Sequence, residues 1–100
     1  MIIAVDFDGT LSLGQWPECG PPNQPVIDRL LERQRAGDKI ILWTCRCGEE
    51  LDDAVEWSRD QGIEYDAVNE SMPEVLEDWG FEDCRKIYAD EYWDDKAVKI

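Results

Sequence analysis

The first five residues, Met1-Ile2-Ile3-Ala4-Val5, are apolar without a break, and the run stops on Asp6-Phe7-Asp8-Gly9-Thr10-Leu11. A short continuous apolar run ended by a turn signal predicts a strand buried on both faces of a parallel sheet. Asp6 and Asp8 then fall at its carboxyl end. Burying an unpaired charge there is unfavourable by roughly several kcal/mol or more, so a cation is expected beside them. Gly9 lets the backbone turn away sharply. Thr10 and the amides after it can face an anion.

The segment Ser12 to Gln24 carries Pro17, Pro21 and Pro22 and runs into Pro25, which rules out regular helix and predicts an ordered loop. That loop leaves the carboxyl end of the first strand and can cover a site there. Trp16 is expected to pack under the loop, with stacking on a substrate as the alternative. A helix is predicted from Pro25 to Ala36, with Val26, Ile27, Leu30 and Leu31 on one face and Gly37 as its cap. Lys39 to Thr44 contains Ile40-Ile41-Leu42-Trp43, a second buried strand. Strand, helix and strand joined this tightly imply a right-handed parallel crossover.

A second amphipathic helix is expected over Glu49 to Gln61, with Leu51, Ala54, Val55 and Ser58 inward. A weaker strand follows within Ile63 to Asn69, centred on Tyr65 to Val68. Met72-Pro73 opens a short helix through Trp79. Arg85 to Ala89 and Tyr92 to Asp94 read as two extended pieces split by a turn at Asp90-Glu91. The alternation predicts one α/β domain over residues 1–100, doubly wound, with its ligand site at the strand carboxyl ends.

Charge narrows the function classes. Twenty-four Asp and Glu face ten Lys and Arg, for a net charge of −14. This argues against a general nucleic-acid or membrane surface, which needs clustered cations. No run approaches the roughly 20 apolar residues of a membrane span. The apolar start is too short for a secretory leader and lacks a basic flank, so a cytoplasmic location is expected. Cys19, Cys45, Cys47 and Cys84 are accordingly expected as reduced thiols. Cys45-x-Cys47 without any His is not the common zinc-ligand spacing.

The stretch Asp6-Phe7-Asp8-Gly9-Thr10 after an apolar strand resembles the nucleophile motif, Asp-x-Asp-x-Thr, of the haloacid dehalogenase-like phosphatases and phosphotransferases. Thr44, after the second apolar strand, resembles that family's second motif. Lys86 and Asp94-Asp95-Lys96 resemble its third and fourth motifs as they occur in the deoxyribonucleotidase-like branch, with tighter spacing. The resemblance runs over nearly the whole chain with the motifs in order. It implies a Rossmann-like three-layer domain with a central parallel sheet, the Met1 strand in the middle and the strands ending in Thr44 and Asp94 on either side. It implies Asp6 as nucleophile, Asp8 as general acid and base, and Thr44 and Lys86 as partners of the phosphoryl oxygens. Magnesium is implied as the cofactor, held by Asp6, the Asp8 carbonyl and the Asp94-Asp95 pair. Within that pair Asp95 is the ligand and Asp94 the partner of Lys86. Arg46 is a candidate substrate contact, with pairing to an acid as the equal alternative.

The chain departs from the family pattern in leaving no room for a cap domain, since residues 45 to 85 are used by core elements. Only five residues follow Asp95, so the family's usual final helix and strand are expected to be shortened or absent. The expected activity is magnesium-dependent hydrolysis of a phosphomonoester through an aspartyl phosphate, on a phosphorylated small molecule or macromolecule. Transfer to an acceptor other than water and a non-catalytic magnesium- or phosphate-binding module are the alternatives. Without a cap the site is open, or covered by a second copy of the chain.

A net charge this negative disfavours compaction at low ionic strength. The melting temperature is therefore expected to rise from low to moderate salt, and again with millimolar magnesium. A thermal melt unmoved by either addition contradicts this.

Overall fold

Side chains alternate across the two central strands and divide the interior into two cores. In the computed structural model, which describes residues 1–100, β1 (Ile2–Val5) and β2 (Lys39–Leu42) pair in parallel, Ile2 opposite Lys39 and Val5 opposite Leu42. Ile3, Val5, Ile40 and Leu42 face one way, packed with Phe7, Leu11 and the inner faces of two helices. Ala4 and Ile41 face the other way, against Met72, Ile87 and Ala89. Strands buried on both faces need apolar residues at every position, which explains the unbroken runs.

The two helices on the first face are α1 (Gln24–Arg35) and α2 (Gly48–Asp60). Ile27 and Leu30 of α1 and Ala54 of α2 are wholly buried. Pro25 sits in the first turn of α1, where its missing N–H is not needed. The loop of residues 12–24 is ordered, as expected, by hydrogen bonds to its own ends. The Ser12 hydroxyl accepts from the Gly20 amide at 2.8 Å, and the Asn23 side chain donates to the Thr10 carbonyl at 2.9 Å.

Beyond α2 the elements shrink. β3 (Ala67–Val68) has two residues, fewer than the sequence pattern suggests, because Tyr65 turns inward to donate to Ser58 at 2.8 Å. The short helix α3 (Pro73–Asp78) follows. Of the two extended pieces expected near the end, one forms: β4 (Glu91–Trp93), parallel to β1, with Val5 opposite Trp93. Arg85 to Ala89 makes no strand. Its backbone is instead fixed by side chains: the Tyr88 amide donates to Ser71, whose hydroxyl donates to Asp83 at 2.7 Å. The strand order β3-β2-β1-β4 is parallel throughout and puts β1 between β2 and β4, as the sequence implies.

This order contains a switch. From β1 the chain steps to β2 and on to β3, with α1 and α2 on one face; from β3 it jumps across to β4, with α3 near the other face. Right-handed crossovers require that change of face. The switch lies between β1 and β4, and a crevice lined by Gly9, Thr10, Asp94 and Asp95 opens at their carboxyl ends.

Leu30 is fully buried in the first core. Leu30→Ala is expected to cost about 2–5 kcal/mol, the range for deleting a core leucine. Urea denaturation checks this; a loss below about 1 kcal/mol would mean that the α1 face is not part of the core.

Candidate active site

Three carboxylates meet at the crevice. Asp6 follows β1, and Asp94 and Asp95 follow β4; one oxygen from each lies within 4.8 Å of the others. The strand pairing delivers them, because the Asp6 amide donates to the Trp93 carbonyl at 2.9 Å and so continues the β1–β4 ladder. Thr10, itself buried, clamps the group: its hydroxyl donates to Asp6 at 3.4 Å and accepts from the Asp95 amide at 3.1 Å. Gly9 completes it, with a φ of +83° that side chains rarely adopt, and a Cβ there would collide with the Asp95 carboxylate.

Crowding shows in the ionisation of Asp6. Its pKa is pushed up to about 6, chiefly by burial and further by the charges of Asp94 and Asp95, against a lowering contribution from the Phe7 amide. A divalent cation among the three oxygens would favour the carboxylate again. Three hard oxygen donors suit magnesium by their chemistry. So Asp6, Asp94 and Asp95 could hold such an ion.

Asp8 stands in different company. Both its oxygens are taken by Arg46, from Nε at 2.9 Å and from Nη2 at 2.8 Å. The Asp8 side chain is thus not one of the clustered oxygens. Arg46 is almost wholly buried. It also donates to the carbonyls of Pro17 at 3.1 Å, Glu50 at 3.2 Å and Glu18 at 3.3 Å. With its five N–H groups so used, none is left for a substrate. Of the two roles open to Arg46 in the sequence, pairing with an acid is the one realised, and the acid is Asp8.

Thr44 ends the loop after β2 at half burial, its hydroxyl accepting from the Arg46 amide at 3.2 Å. Its own amide donates to Asn69 at 2.8 Å. Asn69, just past β3 with a φ of 55°, was not singled out in the sequence; an Asn directly after a short apolar strand is the signal for such a left-handed turn. Lys86 is exposed and its ammonium lies over the Tyr92 ring, 5.1 Å from the centroid. The Tyr92 hydroxyl donates to the Ile87 carbonyl at 2.7 Å, so the bend at Asp90 does bring Lys86 back beside β4. Lys86 and Asp94 line one cleft of about 660 Å³ with Trp43 and Tyr92, without an ion pair between them. A second cleft of about 360 Å³ lies on the other side, lined by Thr10, Arg29, Trp93 and Asp95.

Among solved structures, a conserved protein from Bacteroides thetaiotaomicron superposes with a TM-score of 0.84 at 42% identity, over 98% of this chain and 78% of that one. This chain belongs to that protein's family. No protein-family model matches the chain, and no curated protein matches it. No helix is long and apolar enough to cross a membrane.

Gly9→Ala tests the assembled cluster. The added methyl must displace the Asp95 carboxylate, so helical circular dichroism should persist while the stabilisation by millimolar magnesium weakens about tenfold or more in midpoint concentration. An unchanged magnesium midpoint would show that Asp95 is free to move without consequence.

Proposed function

We propose that this protein is a magnesium-dependent phosphomonoester hydrolase of the haloacid dehalogenase-like type, with Asp6 as its nucleophile. The observation that carries the reading is the convergence of Asp6, Asp94 and Asp95 at the carboxyl ends of adjacent parallel strands. It is joined by Asp8, held apart from the cluster two residues after the nucleophile. Bound magnesium would supply the positive charge that lets an anionic ester approach an anionic nucleophile. Asp6, Asp94 and Asp95 would hold it.

In this reading an Asp6 oxygen bonds to phosphorus as the ester P–O bond breaks. The bonding electron pair leaves with the ester oxygen, which takes a proton from Asp8. Water then attacks the aspartyl phosphate, giving up a proton to the Asp8 carboxylate, and phosphate leaves with Asp6 restored. In this reading Thr44 and Lys86 would meet the phosphoryl oxygens. The clefts are open, which suits either a small phosphate ester or a phosphorylated macromolecule.

The test is a phosphatase screen over nucleotides, sugar phosphates and phosphopeptides, with and without magnesium. Asp6→Asn should retain the fold and lose turnover by about a thousandfold or more, as expected for removing a nucleophile. Asp95→Asn should raise the magnesium requirement more than Asp94→Asn does. Substantial turnover by Asp6→Asn would falsify the covalent step.

A further inference from the structure

We infer that Arg46 is a positioning residue for Asp8, and that it ties the proton-transferring carboxyl to the loop of residues 12–24. The inference rests on the phosphatase reading above for the role of Asp8, and on contacts for everything else. An arginine so deeply buried in a chain this acidic could have paired with any of many carboxylates. It is built around one. Asp8 receives Nε and Nη2 in the side-on bidentate arrangement, the geometry that fixes a carboxylate in orientation as well as position.

The guanidinium is in turn fixed from all sides. Two carbonyls of the loop, from Pro17 and Glu18, and one from the first turn of α2, from Glu50, take the remaining donors. Its faces are covered by Phe7 at 4.8 Å and Trp16 at 5.0 Å from the ring centroids. Phe7 lies between Asp6 and Asp8 in sequence and is wholly buried, braced edge-on by Trp57. Trp16 is 59% exposed, so the indole is an outer plate whose inner face rests on the cation. This assigns Trp16 a task that neither packing under its loop nor stacking on a substrate describes.

Two consequences follow for Asp8. Its carboxyl cannot rotate toward the Asp6, Asp94 and Asp95 cluster while both oxygens are bonded to Arg46. Its position also depends on how the loop sits, since the same cation binds both. Lysine cannot reproduce this: an ammonium offers a point charge without the fork.

The experiment compares two esters that differ in their need for a protonated leaving group, p-nitrophenyl phosphate and an alkyl phosphate. Wild type, Arg46→Lys, Arg46→Met and Trp16→Leu are assayed on both with saturating magnesium, with folding checked by circular dichroism. If Arg46 positions Asp8, Arg46→Met and Arg46→Lys lose about tenfold or more extra on the alkyl ester, where proton donation carries more of the rate. Trp16→Leu, at an exposed site that folding tolerates, should shift the same ratio in the same direction by a smaller factor. A purely structural defect lowers both rates together, because it reduces the amount of working enzyme. Equal losses on the two esters for the folded variants overturn the inference while wild-type turnover upholds the phosphatase reading. Wild-type protein that hydrolyses neither ester overturns that reading and this one with it. Should Arg46→Met fail to fold, Arg46→Lys and Trp16→Leu decide the matter by the same ratio.

Discussion

Like charges held against one another at the end of the central strand set the terms for this structure. Asp6, Asp94 and Asp95 repel, and little of their mutual repulsion is relieved by protein cations. Arg33 is spent at the far end of the sheet, on Asp38 and on Glu91 at the start of β4, where the amino terminus also meets Asp38. Arg46 is spent on Asp8. Arg29 and Lys86 reach the two clefts but lie over the rings of Trp93 and Tyr92, without pairing to an acid. The cluster therefore persists because the backbone imposes it. Ladder hydrogen bonds fix β1 beside β4, and the turn after Asp6 is locked where the Phe7 carbonyl accepts from the amides of Thr10, Leu11 and Ser12. A cluster held by scaffold rather than by its own attractions keeps its oxygens together and could hold an external cation.

Topology decides which acids can take part. The chain moves from β1 outward on one side and returns on the other, so the only acids carried to the crevice are those that directly follow β1 and β4. Other carboxylates are spread elsewhere, such as Asp38 and Glu91 at the far end of the sheet, Asp83 against Ser71, and Asp52 and Glu56 along α2. The same switch leaves the loop of residues 12–24 on the β2 side, where it can reach Arg46, and leaves the β4 side open.

Much of the scaffold was legible because its signals are local. Ile40-Ile41-Leu42 and Ile2 to Val5 are unbroken apolar runs, and α1 and α2 have one apolar stripe each, closed by glycine. Asp6 was legible for the same reason, because it follows an apolar run that must be buried; Asp94 and Asp95 follow β4, which is only partly buried, and rested on the family resemblance. What could not be read depended on distant partners. Arg85 to Ala89 has alternating apolar residues but spends its hydrogen bonds on Ser71 and Tyr92, so it never joins the sheet. Arg46 and Asp8 lie 38 positions apart, and their pairing needs the 12–24 loop to close over them. Seen in sequence, Arg46 is a polar residue after a strand; only the fold supplies the two rings and three carbonyls that make it a buried ion.

The pair Asp6 and Asp8 illustrates how such distant contacts create chemistry. Two residues apart, they would project to the same side of a continued strand. Phe7 breaks that symmetry by driving its ring into the core and starting the turn. Asp6 is left among acids, with burial and its neighbours making its negative charge costly. Asp8 is left against a guanidinium that takes both of its oxygens. Environment thus differentiates two identical side chains, which is the condition for giving two carboxylates two roles. The cluster around Asp6 concentrates negative charge, while the Arg46 fork leaves Asp8 to one side with a fixed orientation. A single buried arginine, reached through a proline-rich loop, is what keeps the second aspartate from becoming one more member of the first one's crowd.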